Sequence, residues 1–139
     1  FRRVLFRSAE HHKLVKRLND KILNNLKDIV SYEEKYLDDC GDVVVVSYGA
    51  PSRSAETAVN ELREKGVSAG IFRLETVWPF PDYKILEIAK NTEKIIIPEM
   101  NFGQISREVQ RASKGHCEVS LVGKTGGEIH VPEEIIDEL

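Results

Sequence analysis

The stretch that decides the fold is VVVVSYGAPSRSAETAVNELREKGVSAGIFRL, residues 43–74. Its β-branched run at 43–46 has no polar alternation, which is typical of a strand buried on both faces of a parallel sheet. Apolar residues at helical spacing then predict a helix over 54–65, and Gly66 suits the end of that helix. A second strand is predicted over 67–74. The stretch therefore predicts a strand, a helix and a second strand.

The same alternation continues to the end of the chain. Strands are predicted at 94–98 and 118–122, and helices at 82–90, at 103–113 and from 133 to 139. Strands that alternate with helices through tight connections indicate an open α/β sheet with right-handed crossovers. We therefore expect a three-layer domain with a mostly parallel sheet flanked by helices.

The segment upstream of the first strand has a different pattern. Apolar residues recur at steps of three and four from His12 to Leu37 and predict one long amphipathic helix. Its apolar stripe covers either the domain's own sheet or a surface beyond the domain. We assign 9–41 to a helical linker and 42–139 to the domain. Residues 1–8 lack helical spacing and are interpreted as a non-native or frayed leader.

Composition excludes several classes of function. The chain has 139 residues, 41% of them hydrophobic, which suits one domain with one core. Its 20 Lys and Arg are dispersed among 23 Asp and Glu, so no nucleic-acid-binding surface is expected. Its apolar runs are too short to cross a bilayer, so no membrane partner is expected. Two cysteines, Cys40 and Cys117, without a signal peptide indicate reduced thiols in a cytoplasmic protein.

Functional groups of such a sheet collect at the carboxyl ends of its strands. The loop after the first strand, 47–54, has free amides at the next helix start, where an anion could bind. Ser52 or Ser54 is expected to cap that helix, while Arg53 contacts a neighbouring loop or subunit. The fourth loop, GKTGG at 123–127, is flexible and cationic.

The second and third loops carry the most distinctive residues. ETVWPFP, residues 75–81, places Trp78 and Phe80 on a backbone stiffened by proline. Such rings serve as a core lid or as an interface anchor, and the interface is slightly favoured. PEMNFGQ, residues 98–104, contains Glu99 in a turn between a strand and a helix. We favour a structural role for Glu99, tying loops together by hydrogen bonds, over general-base catalysis.

Several catalytic and metal-binding motifs are absent from the sequence. It contains no GxGxxG or GxxxxGK[ST] phosphate loop, no CxxC, no HExxH and no GxSxG. We therefore predict no catalytic residue and no metal ligand on this chain.

The WPFP and PEMNFGQ loops together resemble the C-terminal domain of the alpha subunit of 2-oxoacid:ferredoxin oxidoreductases, most closely the 2-oxoglutarate type. The resemblance includes GKTGGEIHVPEEI and covers about 42–139, and HHKLVKRLNDKI, residues 11–22, resembles the helical linker of that subunit. It implies a transketolase C-terminal-like fold with an antiparallel edge strand. Members of the family decarboxylate a 2-oxo acid oxidatively, form an acyl-CoA and pass electrons to ferredoxin.

The resemblance also implies where the chemistry lies. Thiamine diphosphate, Mg²⁺, an iron-sulfur cluster and coenzyme A belong to the complete enzyme, and none is expected on this chain, which alone should be inactive. The implied partners are the remaining domains of the alpha subunit, the beta subunit and, through the complete enzyme, ferredoxin. The implied interface or loop-positioning residues are Arg53, Trp78, Phe80, Glu99, Asn101, Gly103 and Gln104. The candidate contacts for an anion or coenzyme A are Arg53, Lys124 and Thr125.

Two alternatives remain open on the sequence. One is the equivalent domain of another thiamine enzyme: a pyruvate-type oxidoreductase, a 2-oxoacid dehydrogenase or a transketolase. The PEMNFGQ string favours the ferredoxin-linked group over these. The other is a stand-alone α/β module that binds a nucleotide or another anion.

Overall fold

The computed structural model describes residues 8–139. Of the leader assigned to 1–8, residues 1–7 lie outside that range, and Ser8 is the first residue of a helix. The elements in chain order are α1 (Ser8–Leu23), α2 (Leu26–Ile29), β1 (Tyr32–Lys35), a 3₁₀ turn (Leu37–Asp39), β2 (Val43–Tyr48), α3 (Ser52–Glu64), β3 (Ala69–Leu74), α4 (Asp82–Ala89), β4 (Lys94–Glu99), α5 (Ile105–Ser113), β5 (Glu118–Gly123) and α6 (Pro132–Ile136).

The five strands form one sheet in the order β1-β3-β2-β4-β5. Strands β2 to β5 are parallel, and β1 pairs antiparallel with β3 at one edge. The predicted α/β fold with a mostly parallel sheet is therefore confirmed. Because the parallel strands share one direction, the loops that follow β2, β3, β4 and β5 all emerge at the same edge of the sheet, here called the carboxyl edge.

The apolar core lies on both faces of the central strand. Val44 and Val46 of β2 pack with α4 and α5, whereas Val43 and Val45 pack with α3 and α6. All four valines are fully buried, which explains why their run has no polar alternation. The helices thus form an outer layer on each side of the sheet.

The single long helix predicted from 12 to 37 is wrong in its second half. Helix α1 ends at Leu23, where two asparagines follow, and the Asn25 side chain donates a hydrogen bond to the carbonyl of Lys21 at 2.6 Å. Asparagine competes in this way with the helical backbone. The chain then forms β1 on the open side of β3, so part of the segment assigned as a helical linker belongs to the sheet.

Helix α1 does not cover the sheet of its own domain. None of its residues is buried, and Val15 and Leu18 on its apolar stripe are about half exposed. The stripe therefore leaves apolar surface in contact with water in this chain. No helix within residues 8–139 has the length and apolar character needed to cross a membrane.

The two cysteines have the burial expected from the sequence. Cys40 is buried, Cys117 is half-buried, and both are free thiols. Burial raises the pKa of each thiol, so both are poor nucleophiles near neutral pH.

Candidate functional site

A fully buried carboxylate, Glu99, ends β4 at the carboxyl edge. Its oxygens accept hydrogen bonds from the backbone amides of Ser106 at 2.6 Å, Ile105 at 3.0 Å and Gln104 at 3.1 Å. The Tyr48 hydroxyl donates a fourth bond at 3.1 Å. These amides belong to the start of α5, where backbone donors lack partners within the helix and a negative charge is favoured. Glu99 therefore fixes the start of α5 against the end of β4.

Asn101 closes this hydrogen-bond network. Its Nδ2 donates to the Tyr48 hydroxyl at 2.9 Å, and its Oδ1 accepts from the amides of Gly103 at 2.7 Å and Gln104 at 3.0 Å. Tyr48 thus joins the loop after β2 to the loop after β4. Burial, and then the nearby charge of Glu99, raise the pKa of Tyr48, so its hydroxyl stays protonated and keeps donating.

Tyr48 was not among the residues singled out from the sequence. The signal that could have identified it is its position as a hydroxyl-bearing ring directly after a buried strand. Gln104, which was singled out, contributes only its backbone amide, and its side chain is exposed without a hydrogen-bond partner in residues 8–139. Any residue except proline could supply that amide.

Gly103 has a backbone conformation and surroundings that require glycine. Its φ is +88°, and a Cβ atom there would lie 2.5 Å from the Ser106 hydroxyl oxygen and 2.8 Å from the Leu121 side chain. Residues with a side chain rarely adopt this conformation, and here they would also collide with their neighbours. The glycine lets the loop pass close to β5.

The loop held by this network presents an apolar tip to solvent. Phe102 is 82% exposed, Met100 in the same loop is also exposed, and Leu121 of the neighbouring strand β5 adds exposed apolar surface. Asn101 and Gly103, the residues on either side of Phe102, are both hydrogen-bonded within this network, so the phenyl ring is attached to a well-fixed backbone.

The WPFP loop follows β3 at the same edge. Trp78 is 62% exposed, whereas Phe80 is half-buried against the core. The Thr76 side chain accepts a hydrogen bond from the Ser31 amide at 3.3 Å and donates one to the Ile29 carbonyl at 3.1 Å, which ties the loop to the segment before β1. The two rings therefore differ: Phe80 packs inward, and Trp78 faces water.

The expectation that Ser52 or Ser54 caps α3 is wrong. The helix begins at Ser52, so both serines lie within its first turn instead of at the capping position, and no side chain caps it. The Ser54 hydroxyl donates to the His130 carbonyl, and the Ser52 hydroxyl is buried with no hydrogen-bond partner in the described residues. Arg53 is exposed, and its side chain makes no ion pair or hydrogen bond within residues 8–139.

Lys124 is engaged in a structural ion pair. Its amine lies 2.8 Å and 3.0 Å from the two carboxylate oxygens of Glu134 in α6 and donates to the Ile129 carbonyl at 3.3 Å. The hydrogen bond from Lys124 lowers the pKa of Glu134. Thr125 lies exposed in the same glycine-rich loop. An anion bound at Lys124 would have to compete with Glu134 for the amine.

The described part of the chain contains no group of three His, Cys, Asp or Glu residues that could hold a metal ion. The arrangement at the carboxyl edge is instead a rigid hydrogen-bonded cluster that presents two exposed aromatic rings, Trp78 and Phe102. Such rings on fixed loops are characteristic of protein interfaces.

This chain shares about half of its aligned residues with several curated proteins. The 2-oxoglutarate synthase subunit KorA of Methanothermobacter marburgensis is 50% identical to this chain over 129 residues, which is 93% of this chain and 34% of that protein. The chain therefore spans about a third of the length of the curated relatives it matches.

Two solved structures share the fold. The 2-oxoglutarate:ferredoxin oxidoreductase of Magnetococcus marinus, with 2-oxoglutarate, coenzyme A and succinyl-CoA bound, has a TM-score of 0.79 at 22% identity, over 96% of this chain and 23% of that chain. An inactive split-gene transketolase has a TM-score of 0.64 at 20% identity, over 76% of this chain and 39% of that chain. The predicted transketolase-like fold is therefore confirmed.

The family pattern of pyruvate:ferredoxin oxidoreductase core domain II matches residues 41–135, which is more than half of the chain. That range includes the network around Glu99, the WPFP loop and the strands that place them at one edge. The chain belongs to the family of pyruvate:ferredoxin oxidoreductase core domain II.

Proposed function

We propose that this chain is the C-terminal docking domain of the alpha subunit of a 2-oxoglutarate:ferredoxin oxidoreductase. The observation that carries the proposal is the 50% identity to a 2-oxoglutarate synthase subunit across 93% of the chain. In this role the domain supports the thiamine-dependent oxidative decarboxylation of a 2-oxo acid to an acyl-CoA, with electrons passed to ferredoxin. The domain contributes to the assembly of the enzyme, and the groups that react with the substrate come from other domains.

The carboxyl edge supports a docking role. Trp78 and Phe102 project from the loops after β3 and β4, two strands that flank β2 in the sheet. Burying a large apolar side chain is worth about 1.5–3 kcal/mol, and the gain is greatest for a ring already held in place. The network of Tyr48, Glu99 and Asn101 supplies that rigidity on the β4 side.

Helix α1 supplies a second docking surface. Its apolar stripe, which includes Val15 and Leu18, is exposed, and the match to KorA extends into this helix because it covers 93% of the chain. That relative is about three times as long as this chain, so the complete protein contains additional surface that can cover the stripe. We assign that role to the remaining domains of the alpha subunit.

The remaining assignments follow from the same proposal. The beta subunit is a direct partner, ferredoxin is a partner through the complete enzyme, and the assembly is cytoplasmic. Thiamine diphosphate, Mg²⁺, an iron-sulfur cluster and coenzyme A act in the complete enzyme, and this chain alone is inactive. The contact of Arg53, Lys124 and Thr125 with an anion or coenzyme A stays a prediction, and the ion pair with Glu134 argues against Lys124 as its donor.

The test is reconstitution of the complete enzyme with Trp78→Ala or Phe102→Ala in this domain. We expect each variant to weaken subunit assembly, measured by native mass spectrometry, and to lower ferredoxin reduction with 2-oxoglutarate and coenzyme A. Tyr36→Asn is the control, since Tyr36 is also a partly exposed ring, stacked by Arg63, and lies beyond the other end of β1, away from the carboxyl edge. Asparagine replaces it because its φ is +61°. Unchanged assembly and turnover in both test variants would contradict the docking role.

Substrate assays separate the thiamine-dependent alternatives. The enzyme should reduce ferredoxin faster with 2-oxoglutarate than with pyruvate or 2-oxoisovalerate. A preference for pyruvate would assign the domain to the pyruvate-type oxidoreductases, and activity with NAD in place of ferredoxin would assign it to a dehydrogenase.

A further inference from the structure

A cavity of about 600 Å³ lies between the first turns of α3 and the β1–β3 side of the sheet. Its volume falls within the range of about 300–1,000 Å³ that is typical of small-molecule sites. Its walls come from β1, β3, the loop after β2, the start of α3 and the loop before α6. The exposed rings of Trp78 and Phe102 do not line it, so it is separate from the docking surface.

The charges around the cavity favour an anion. Lys35, Arg53 and Arg73 line it together with Glu33 and Glu56. Lys35 pairs with Glu56, and Arg73 pairs with Glu33 at 3.0 Å. Arg53 has no such partner within residues 8–139, so its guanidinium keeps all its donors for a ligand. The lining therefore carries one uncompensated positive charge.

The cavity also offers apolar surface. Ile71 lies in its wall on β3, and Ile129, which is 54% exposed, lies at its rim. A ligand that combines an anionic group with an apolar body matches both features.

We propose that this cavity binds a phosphate monoester with an apolar body, with Arg53 as the residue that anchors the phosphate. A planar guanidinium forms paired hydrogen bonds to phosphate oxygens, which a carboxylate-bound lysine or arginine does less readily. The apolar body of the ligand then packs on Ile71 and Ile129. This ligand site does not depend on the proposed docking role, because its residues lie outside the docking loops.

The test is calorimetric titration of the 139-residue chain with adenosine 5′-monophosphate as the probe. Adenosine is the uncharged control ligand. We expect the monophosphate to bind at least about tenfold more tightly than adenosine, because a charge-assisted hydrogen bond is lost without the phosphate. Amide resonances of Gly49 and Ala50, which line the cavity, should shift on titration.

A variant of the assigned arginine and a matched control test its role. Arg53→Gln should weaken binding of the monophosphate about tenfold or more, whereas Arg107→Gln, the same change at an exposed position of α5, should leave it unchanged. Equal affinities of wild type and Arg53→Gln, equal binding of adenosine, or no binding up to millimolar probe would overturn the proposal. None of these outcomes bears on assembly of the complete enzyme.

Discussion

The network at the end of β4 depends on single residues, and only part of it could be predicted from the sequence. A carboxylate, a carboxamide and a glycine between a strand and a helix indicate hydrogen bonding within a turn, which is the role favoured for Glu99. The partner on the other loop, Tyr48, is 53 positions away from Asn101 along the chain. Such a contact depends on which strands are neighbours in the sheet, and local pattern does not reveal it.

Comparing Gly103→Ala with Gly126→Ala separates the cost of a left-handed backbone from the cost of a collision with neighbouring side chains. Gly126 is the matched control, because its φ of +89° is nearly that of Gly103, at +88°, but nothing lies within 4 Å of a Cβ atom there. Each alanine should lower the free energy of unfolding by about 1–2 kcal/mol, because its backbone must adopt a left-handed conformation. Gly103→Ala should cost about 1–3 kcal/mol more, because its Cβ collides with Ser106 and Leu121. Urea denaturation of both variants measures the difference, and equal losses would contradict the close packing.

Tyr48→Phe tests the network through its dependence on pH. Removal of the hydroxyl should lower the free energy of unfolding at pH 7 by about 0.5–1.5 kcal/mol. The folded state raises the pKa of Tyr48 above 10.0 through burial and then the charge of Glu99, so the neutral hydroxyl stabilises the fold below about pH 10. That contribution is lost as the pH rises through the folded pKa.

The difference in unfolding free energy between wild type and Tyr48→Phe should therefore shrink between pH 9 and 11, measured by urea denaturation at each pH. Tyr32, whose pKa is also raised by burial, is present in both proteins and cancels in the difference. A difference that stays constant across this range would show that the Tyr48 hydroxyl ionises equally in the folded and unfolded states.

Elements differ in how far sequence alone specifies them. Strand β2 was predictable because four consecutive buried valines suit only a central position in a parallel sheet. The local pattern did not predict strand β1, since its residues YEEK are half-buried or exposed. Only the family resemblance implied an antiparallel edge strand, and β1 confirms it. It forms because β3 offers an unpaired edge, which is a property of the assembled sheet.

Helix α1 should contribute to assembly and little to the stability of this chain. Leu18→Gln removes an apolar side chain that is 52% exposed, so the free energy of unfolding of the chain should change by no more than about 0.5 kcal/mol. Association with the rest of the complete protein should weaken. Arg17→Gln, at an exposed polar position outside the apolar stripe, is the control and should leave association unchanged. A large loss of stability in Leu18→Gln would indicate that α1 packs on its own domain.

The whole molecule is organised by the direction of its strands. Since β3 and β4 are parallel, the WPFP loop and the loop containing Phe102 emerge at one edge, with the loop after β2 between them. The alternation of strands and helices was sufficient to predict that shared edge. Which rings face outward was not predictable, because Trp78 and Phe80 lie two residues apart in one loop and only Phe80 packs on the core.

Hydrogen exchange in the complete enzyme should identify the covered surfaces directly. We expect amides of residues 75–78 and 100–104 to exchange more slowly in the assembled enzyme than in this chain alone, because docking excludes water from the carboxyl edge. The turns at 65–67 and 114–116 lie at the opposite edge of the sheet and serve as internal controls with unchanged exchange. Mass spectrometry of peptides from both samples measures the difference. Equal exchange at the carboxyl edge, or protection confined to the control turns, would place the interface elsewhere on the domain.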